Sequence, residues 1–164
     1  MRANQSAPST AAVPREETQR KLDRRSQAAA LIKPLDHYTL ADRIEQQADS
    51  LGDHPFIIYG DTRLSYAQLD ARANQVAHAA LACGLKPGDV CAMAMENRPE
   101  FFTTWFGLTK IGVVVAFINN QINGRPLQHA LESTQAKAAI VGEECAHNFA
   151  QTPEINTPLW LLPD

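Results

Sequence analysis

Few side chains in this sequence stand at spacings that do chemistry. Glu144-Cys145-Ala146-His147 has the Glu-x-x-His spacing by which helices present a carboxylate and an imidazole to a metal. Such a site needs a second copy and further glutamates, which the sequence does not supply, so the pair is expected at a solvated helix end. His129 and Glu132 share a helix face at i, i+3, which reads as a surface or capping arrangement. Asn119-Asn120-Gln121 follow an apolar run, and polar residues at the carboxyl end of a parallel strand lie where α/β folds bind ligands. The same asparagines also suit capping a loop and satisfying its backbone, and both readings stand. Arg125 opens the next helix, where a cation can meet an anion. Phe101, Phe102, Trp105 and Phe106 cluster on one helix and read as core rather than as an acyl pocket.

The signatures of phosphate cradles and activated nucleophiles are missing. There is no Gly-x-Gly-x-x-Gly, no Gly-x-x-x-x-Gly-Lys-Ser/Thr, no Gly-x-Ser-x-Gly and no His-Glu-x-x-His. Cys83, Cys91 and Cys145 are odd in number and include no Cys-x-x-Cys. They read as small buried hydrophobes in a reducing cytoplasm, not as a disulfide framework or a zinc site.

The elements that would position these residues are legible from periodicity. Leu40, Ile44, Ala48 and Leu51 recur at helical spacing before Gly52. Phe56–Tyr59 and Arg63-Leu64, joined through Gly60-Asp61, predict a hairpin. Ser65 and Gln68 form a capping-box pair, and Tyr66, Leu69, Ala73, Val76, Ala77 and Ala80 line one face of the helix they start, which Gly84 ends. Val90–Met95 predicts a strand. Asn97 is the expected cap of the next helix, with Pro99 in its first turn. From Phe101 to Ile118 the only charge is Lys110, a run close to the length of a membrane span. Gly107 and Gly112 interrupt it, and the β-branched stretch Val113–Ile118 reads as a buried strand, so helix-then-strand is preferred to a span. Arg125–Ser133, Ala138–Val141, Glu143–Ala150 and Leu159–Leu162 then predict helix, strand, short helix and strand. Strands alternating with helices imply an α/β fold with a mostly parallel sheet flanked by helices on both faces.

Charge is uneven along the chain. Residues 1–36 carry a surplus of three positive charges within a formal net charge of −3 for all 164 residues. They lack a sustained apolar face, so 1–36 is expected to be a flexible basic arm, with a solvated helix around Glu16–Ala30. No secretory signal is legible. The acidic balance argues against a general nucleic-acid partner. The folded part is expected over 37–164. Its last apolar run, Leu159–Leu162, is followed only by Pro163 and Asp164, so the sheet is expected to be an incomplete portion of a larger one.

Several segments occur in the order seen in one family. Phe56-Ile57-Ile58-Tyr59 leading to Leu64-Ser65-Tyr66-Ala67-Gln68-Leu69 resembles the opening of the AMP-forming adenylating enzymes. Lys86-Pro87-Gly88-Asp89-Val90, Met95-Glu96-Asn97-Arg98-Pro99-Glu100-Phe101 and Gly107–Val113 continue the resemblance, with Leu127–Leu131 and Ala136–Ile140 completing it over about residues 39–142. Ile118-Asn119 and the Leu-x-His-x-Leu start of Leu127–Leu131 are similar to the branch of fatty-acid transport proteins and very-long-chain acyl-CoA synthetases.

The resemblance implies the N-terminal part of a fatty acid–CoA ligase using ATP, Mg2+ and CoA, expected in the cytoplasm and, in one option, peripheral at the inner face of the membrane. The family's phosphate-binding loop and later acidic and basic motifs would lie beyond Asp164. No catalytic, cofactor-binding or metal residue is therefore assigned here, and the segment alone is expected to be inactive. The alternatives are a non-catalytic α/β binding or regulatory module and an adenylating enzyme for a different carboxylate. Fatty-acid chain length and oligomeric state are left open.

Overall fold

A computed structural model describes residues 15–31, 39–152 and 154–163. The chain falls into two units, Met1–His37 and Tyr38–Asp164. In the first, α1 (Arg15–Ala30) has Glu16 and Glu17 in its first turn, which suits the positive end of the helix dipole, and buries none of its residues. The rest of the arm expected over 1–36 lies outside the described residues.

The second unit opens with α2 (Leu40–Leu51). Thr39 caps it, and Asp42 reaches back to the Thr39 N–H in a complete capping box. β1 (Pro55–Tyr59) and β2 (Thr62–Ser65) pair antiparallel, with Tyr59 opposite Thr62 across the Gly60-Asp61 turn. Ser65 then starts α3 (Tyr66–Ala82), its hydroxyl accepting from Gln68 N–H while Gln68 Oε1 accepts from Ser65 N–H. The helix ends in a Schellman turn: Leu85 N–H bonds Ala80 O and Gly84 N–H bonds Leu81 O. Gly84 has φ +88°, a conformation that favours glycine.

The parallel sheet comprises β3 (Val90–Ala94), β4 (Val114–Phe117), β5 (Ala138–Gly142) and β6 (Leu159–Leu162) in the order β4-β3-β5-β6. Val90 pairs with Val114, Cys91 with Ala138 and Ala139 with Leu159. Helix α4 (Pro99–Lys110) connects β3 to β4, and α5 (Gly124–Thr134) connects β4 to β5. A 3-10 turn (Glu143–Cys145) and α6 (Ala146–Ala150) lead towards β6, where a single short helix had been expected.

Strand alternation sorts the core into two layers. Ala92, Ala94, Ala139 and Val141 face Leu127, Leu131 and Phe149 of α5 and α6. Cys91, Met95, Ala138 and Ile140 face Ala80 and Leu108 of α3 and α4. A third cluster joins α2, the hairpin, α3 and α4 around Leu64, Leu69 and Phe106.

One expectation needs correction. The Val113–Ile118 run is not a strand buried on both faces. Val114 is 54% and Phe117 52% exposed, because β3 and not β4 lies inside the sheet and β4 forms an edge. The run from Phe101 to Ile118 does divide into helix and strand, and among the described residues no helix is long and apolar enough to cross a membrane.

Candidate functional site

The strand order places a topological switch point between β3 and β5. From β3 the chain crosses to one neighbour through α4, then returns past β3 to the other side through α5. Ligands of open α/β sheets bind at the carboxyl ends of the strands where the order reverses. Glu96 and Arg98 follow β3 at this point, and Glu143 and Glu144 follow β5.

Pro99 determines the local geometry. A residue before proline is driven out of the helical region, and Arg98 is extended at φ −127°, ψ 170°. Arg98, not Asn97, is therefore the N-cap, and its side chain gives no capping bond to the helix. Instead its guanidinium crosses the carboxyl edge of the sheet. Nη2 donates to Leu162 O at 3.3 Å and lies 3.4 Å from Glu144 Oε2, and Nη1 donates to Pro163 O at 3.5 Å. Glu100 lies 4.0 Å away, and the Arg98 side chain is 11% exposed.

Glu144 completes the arrangement. Its Oε1 accepts from Glu96 N–H at 2.7 Å, joining the ends of β3 and β5 across 48 positions of sequence. Gly142 makes room for it: a Cβ there would stand 2.3 Å from Glu144 Oε1. Tyr59 and Thr62 from the hairpin line the same cavity of about 350 Å³ with Glu96, Arg98, Glu100 and Glu144. The guanidinium, bound to main-chain oxygens and Glu144, and the three glutamates that line the cavity with it form an electrostatic clasp at the switch point.

The residues singled out by spacing disperse. Glu144 joins the clasp rather than a solvated helix end, with its side chain 19% exposed, whereas His147 is exposed. Glu132 accepts from Gln128, and His129 stands exposed. Asn119 Oδ1 accepts from Gln121 N–H, Asn120 Oδ1 accepts from the Gln121 amide, and Asn148 of α6 donates its Nδ2 to Asn120 O, so these amides tie the loop to itself and to α6. Arg125 is exposed at the start of α5. Phe106 is buried, and Phe101, Phe102 and Trp105 pack half-buried among Phe56 and Phe117, as a core cluster.

Two cysteines are buried as expected; Cys83 is exposed, because it caps the end of α3 rather than facing inward. Burial pushes the Cys91 thiol up to about 11. Burial, with the Glu144 and Glu96 charges, pushes Cys145 up to about 11 as well. Neither is a thiolate at neutral pH, so neither is an activated nucleophile.

The clasp does not fit Mg·ATP. Phosphates need unengaged cations and N–H donors, while this edge presents a carboxylate surplus. Among the described residues no group of three His, Cys, Asp or Glu is placed to hold a metal ion. The sequence signals for the clasp were Arg98-Pro99 and Gly142, but nothing local tied them together.

Residues 44–159, well over half of the chain, match the AMP-binding enzyme family. The long-chain fatty acid transport protein 6 of Mus musculus is 43% identical over 88 residues, 53% of this chain and 14% of that protein. The long-chain fatty acid transport protein 1 of Rattus norvegicus is 44% identical over 90 residues, 55% and 14% respectively. The chain thus spans about a seventh of the length of these curated relatives. The N-terminal domain of FACL13 from Mycobacterium tuberculosis superposes with a TM-score of 0.68 at 25% identity, over 75% of this chain and 33% of that one. With the hairpin that leads into α3, strands β3 to β5 and helices α3 to α6 all in the matched stretch, this chain belongs to the AMP-binding enzyme family.

Proposed function

We propose that this chain is the scaffold portion of an AMP-forming ligase that activates long-chain fatty acids and passes them to CoA. The identity of 43–44% to long-chain fatty acid transport proteins carries the choice of substrate class. In the reaction, a fatty carboxylate oxygen attacks the α-phosphorus of Mg·ATP and pyrophosphate leaves. The CoA sulfur then attacks the acyl carbon, forming the thioester and releasing AMP. Here, residues 39–163 supply a rigid sheet and its packed helices, and the cations that face the phosphates belong to other parts of the ligase. The proposed setting is cytoplasmic, peripheral to the inner face of the membrane.

The test compares the protein from the complete reading frame that contains this chain with the 164-residue chain alone. The complete protein, given Mg·ATP, CoA and oleate, should release pyrophosphate and form acyl-CoA. The 164-residue chain should show no ATP–pyrophosphate exchange. Exchange by the pure 164-residue chain would overturn the scaffold role. A complete protein that activates benzoate or an amino acid but no fatty acid would overturn the substrate assignment.

A further inference from the structure

We propose that the cationic face of α1 docks on the anionic headgroups of a phospholipid bilayer. At 3.6 residues per turn, Arg20, Lys21, Arg24 and Arg25 fall within about 140° of the helix circumference. All four are exposed, and α1 buries nothing. Glu16 and Asp23 lie outside this arc, and Asp23 accepts from Gln19. Only Glu17 interrupts the face, paired with Lys21 at 2.8 Å.

The helix has no internal reason for this distribution. Arg20–Arg24 and Lys21–Arg25 are like charges at i, i+4, which oppose one another within a helix. An exposed helix of 16 residues without a packed face is marginal in water. A surface of negative charge relieves both costs, since each cation near an anionic leaflet is attracted to it and the repulsion among them is screened. Leu31, which follows α1 in a turn closed by its N–H on Ala28 O, is 79% exposed and continues the helical spacing between Arg20 and Arg24. An apolar side chain among cations suits a headgroup boundary better than a phosphodiester chain. The choice of a bilayer also rests on the fatty-acid reading above, since a long-chain fatty acid partitions into lipid.

The experiment measures partitioning of the 164-residue chain onto phosphatidylcholine vesicles with and without phosphatidylserine, at low and high salt. Binding is expected only with phosphatidylserine and should weaken with salt. Replacing Arg20, Arg24 and Arg25 with Gln should lower the partition coefficient about fivefold for each cation lost. Arg24→Lys with Arg25→Lys should retain it. The melting transition of the body reports folding separately, since α1 contributes no core residue. Equal binding to pure phosphatidylcholine, or full binding by the neutralised variant, overturns the proposal. Tighter salt-dependent binding to RNA than to phosphatidylserine vesicles overturns it in favour of a nucleic-acid surface. Lost vesicle binding alongside intact acyl-CoA formation from cyclodextrin-delivered oleate in the complete protein would separate this inference from the ligase assignment.

Discussion

Lys110 is the lone charge of a long apolar stretch, and it is held by two carboxylates from other helices. Its side chain is 6% exposed, with Nζ 2.6 Å from Glu45 of α2 and 2.8 Å from Asp70 of α3. Burial pulls the ammonium pKa down, but hydrogen bonds and charge from Asp70 and Glu45 outweigh it, so the group lies above its ordinary value of 10.5. Lys110→Met keeps the aliphatic stem and leaves Asp70 without its cation. Glu45 remains half in water and limits the cost, so the expected loss is about 2 kcal/mol, read from the urea midpoint of unfolding. The sequence showed Lys110 as an anomaly in an apolar run. It did not show the partners, which are 65 and 40 positions away.

At the scale of elements, the crossing of α3 and α4 depends on Gly107. A Cβ there would stand 2.5 Å from Ala73 O and 2.7 Å from Val76 Cβ. Neither atom is the end of a flexible chain, so the helices themselves must separate. Gly107→Ala is expected to destabilise the fold by about 2 kcal/mol, measured by chemical denaturation, despite alanine's better helix propensity. A stability equal to or above wild type would show that the helices can part without loss. From sequence alone, Gly107 looked like an interruption of an apolar run. The α3 start at Ser65 was legible because the capping box is a local motif, its two partners three positions apart and fixed by helix geometry. The start of α4 was misread at Asn97, because the extended backbone imposed by Pro99 makes Arg98 the cap regardless of capping preference.

For the whole molecule, the titrating groups predict a plateau of stability against pH. Hydrogen bonds from Thr39 hold the Asp42 carboxyl below its ordinary value of 3.8, and the hydrogen bond from Lys137 does the same for Asp89. Groups depressed by folding contribute fully above 3.8 and lose that contribution as pH falls through their folded values. At the alkaline end the signs reverse. Cys91 and Cys145 are raised from 9.0 to about 11, and Lys110 lies above 10.5, so their contributions are whole below the unfolded values and are lost as pH rises through the folded ones. Melting temperature should be level from about pH 5 to 8, fall below pH 4 and fall again above pH 9. In Lys110→Met the part of the alkaline fall that begins above 10.5 should shrink while the acid limb stays in place. An unchanged alkaline limb would remove Lys110 from the account.

The sequence by itself determined the element series from Leu40 to Leu162, the parallel α/β class and the family, because each rests on local signals: periods of 2 and 3.6, caps, turn residues and ordered short motifs. Only the tertiary structure decided which strand lies inside the sheet. Both crossovers read alike along the chain, but one moves to β4 and the other returns past β3, and this leaves Phe117 at an edge and makes β3 and β5 neighbours. The clasp follows from that choice. Arg98 meets Leu162 across 64 positions and Glu144 meets the Glu96 N–H across 48, contacts that no local periodicity encodes because they depend on the direction of each crossover.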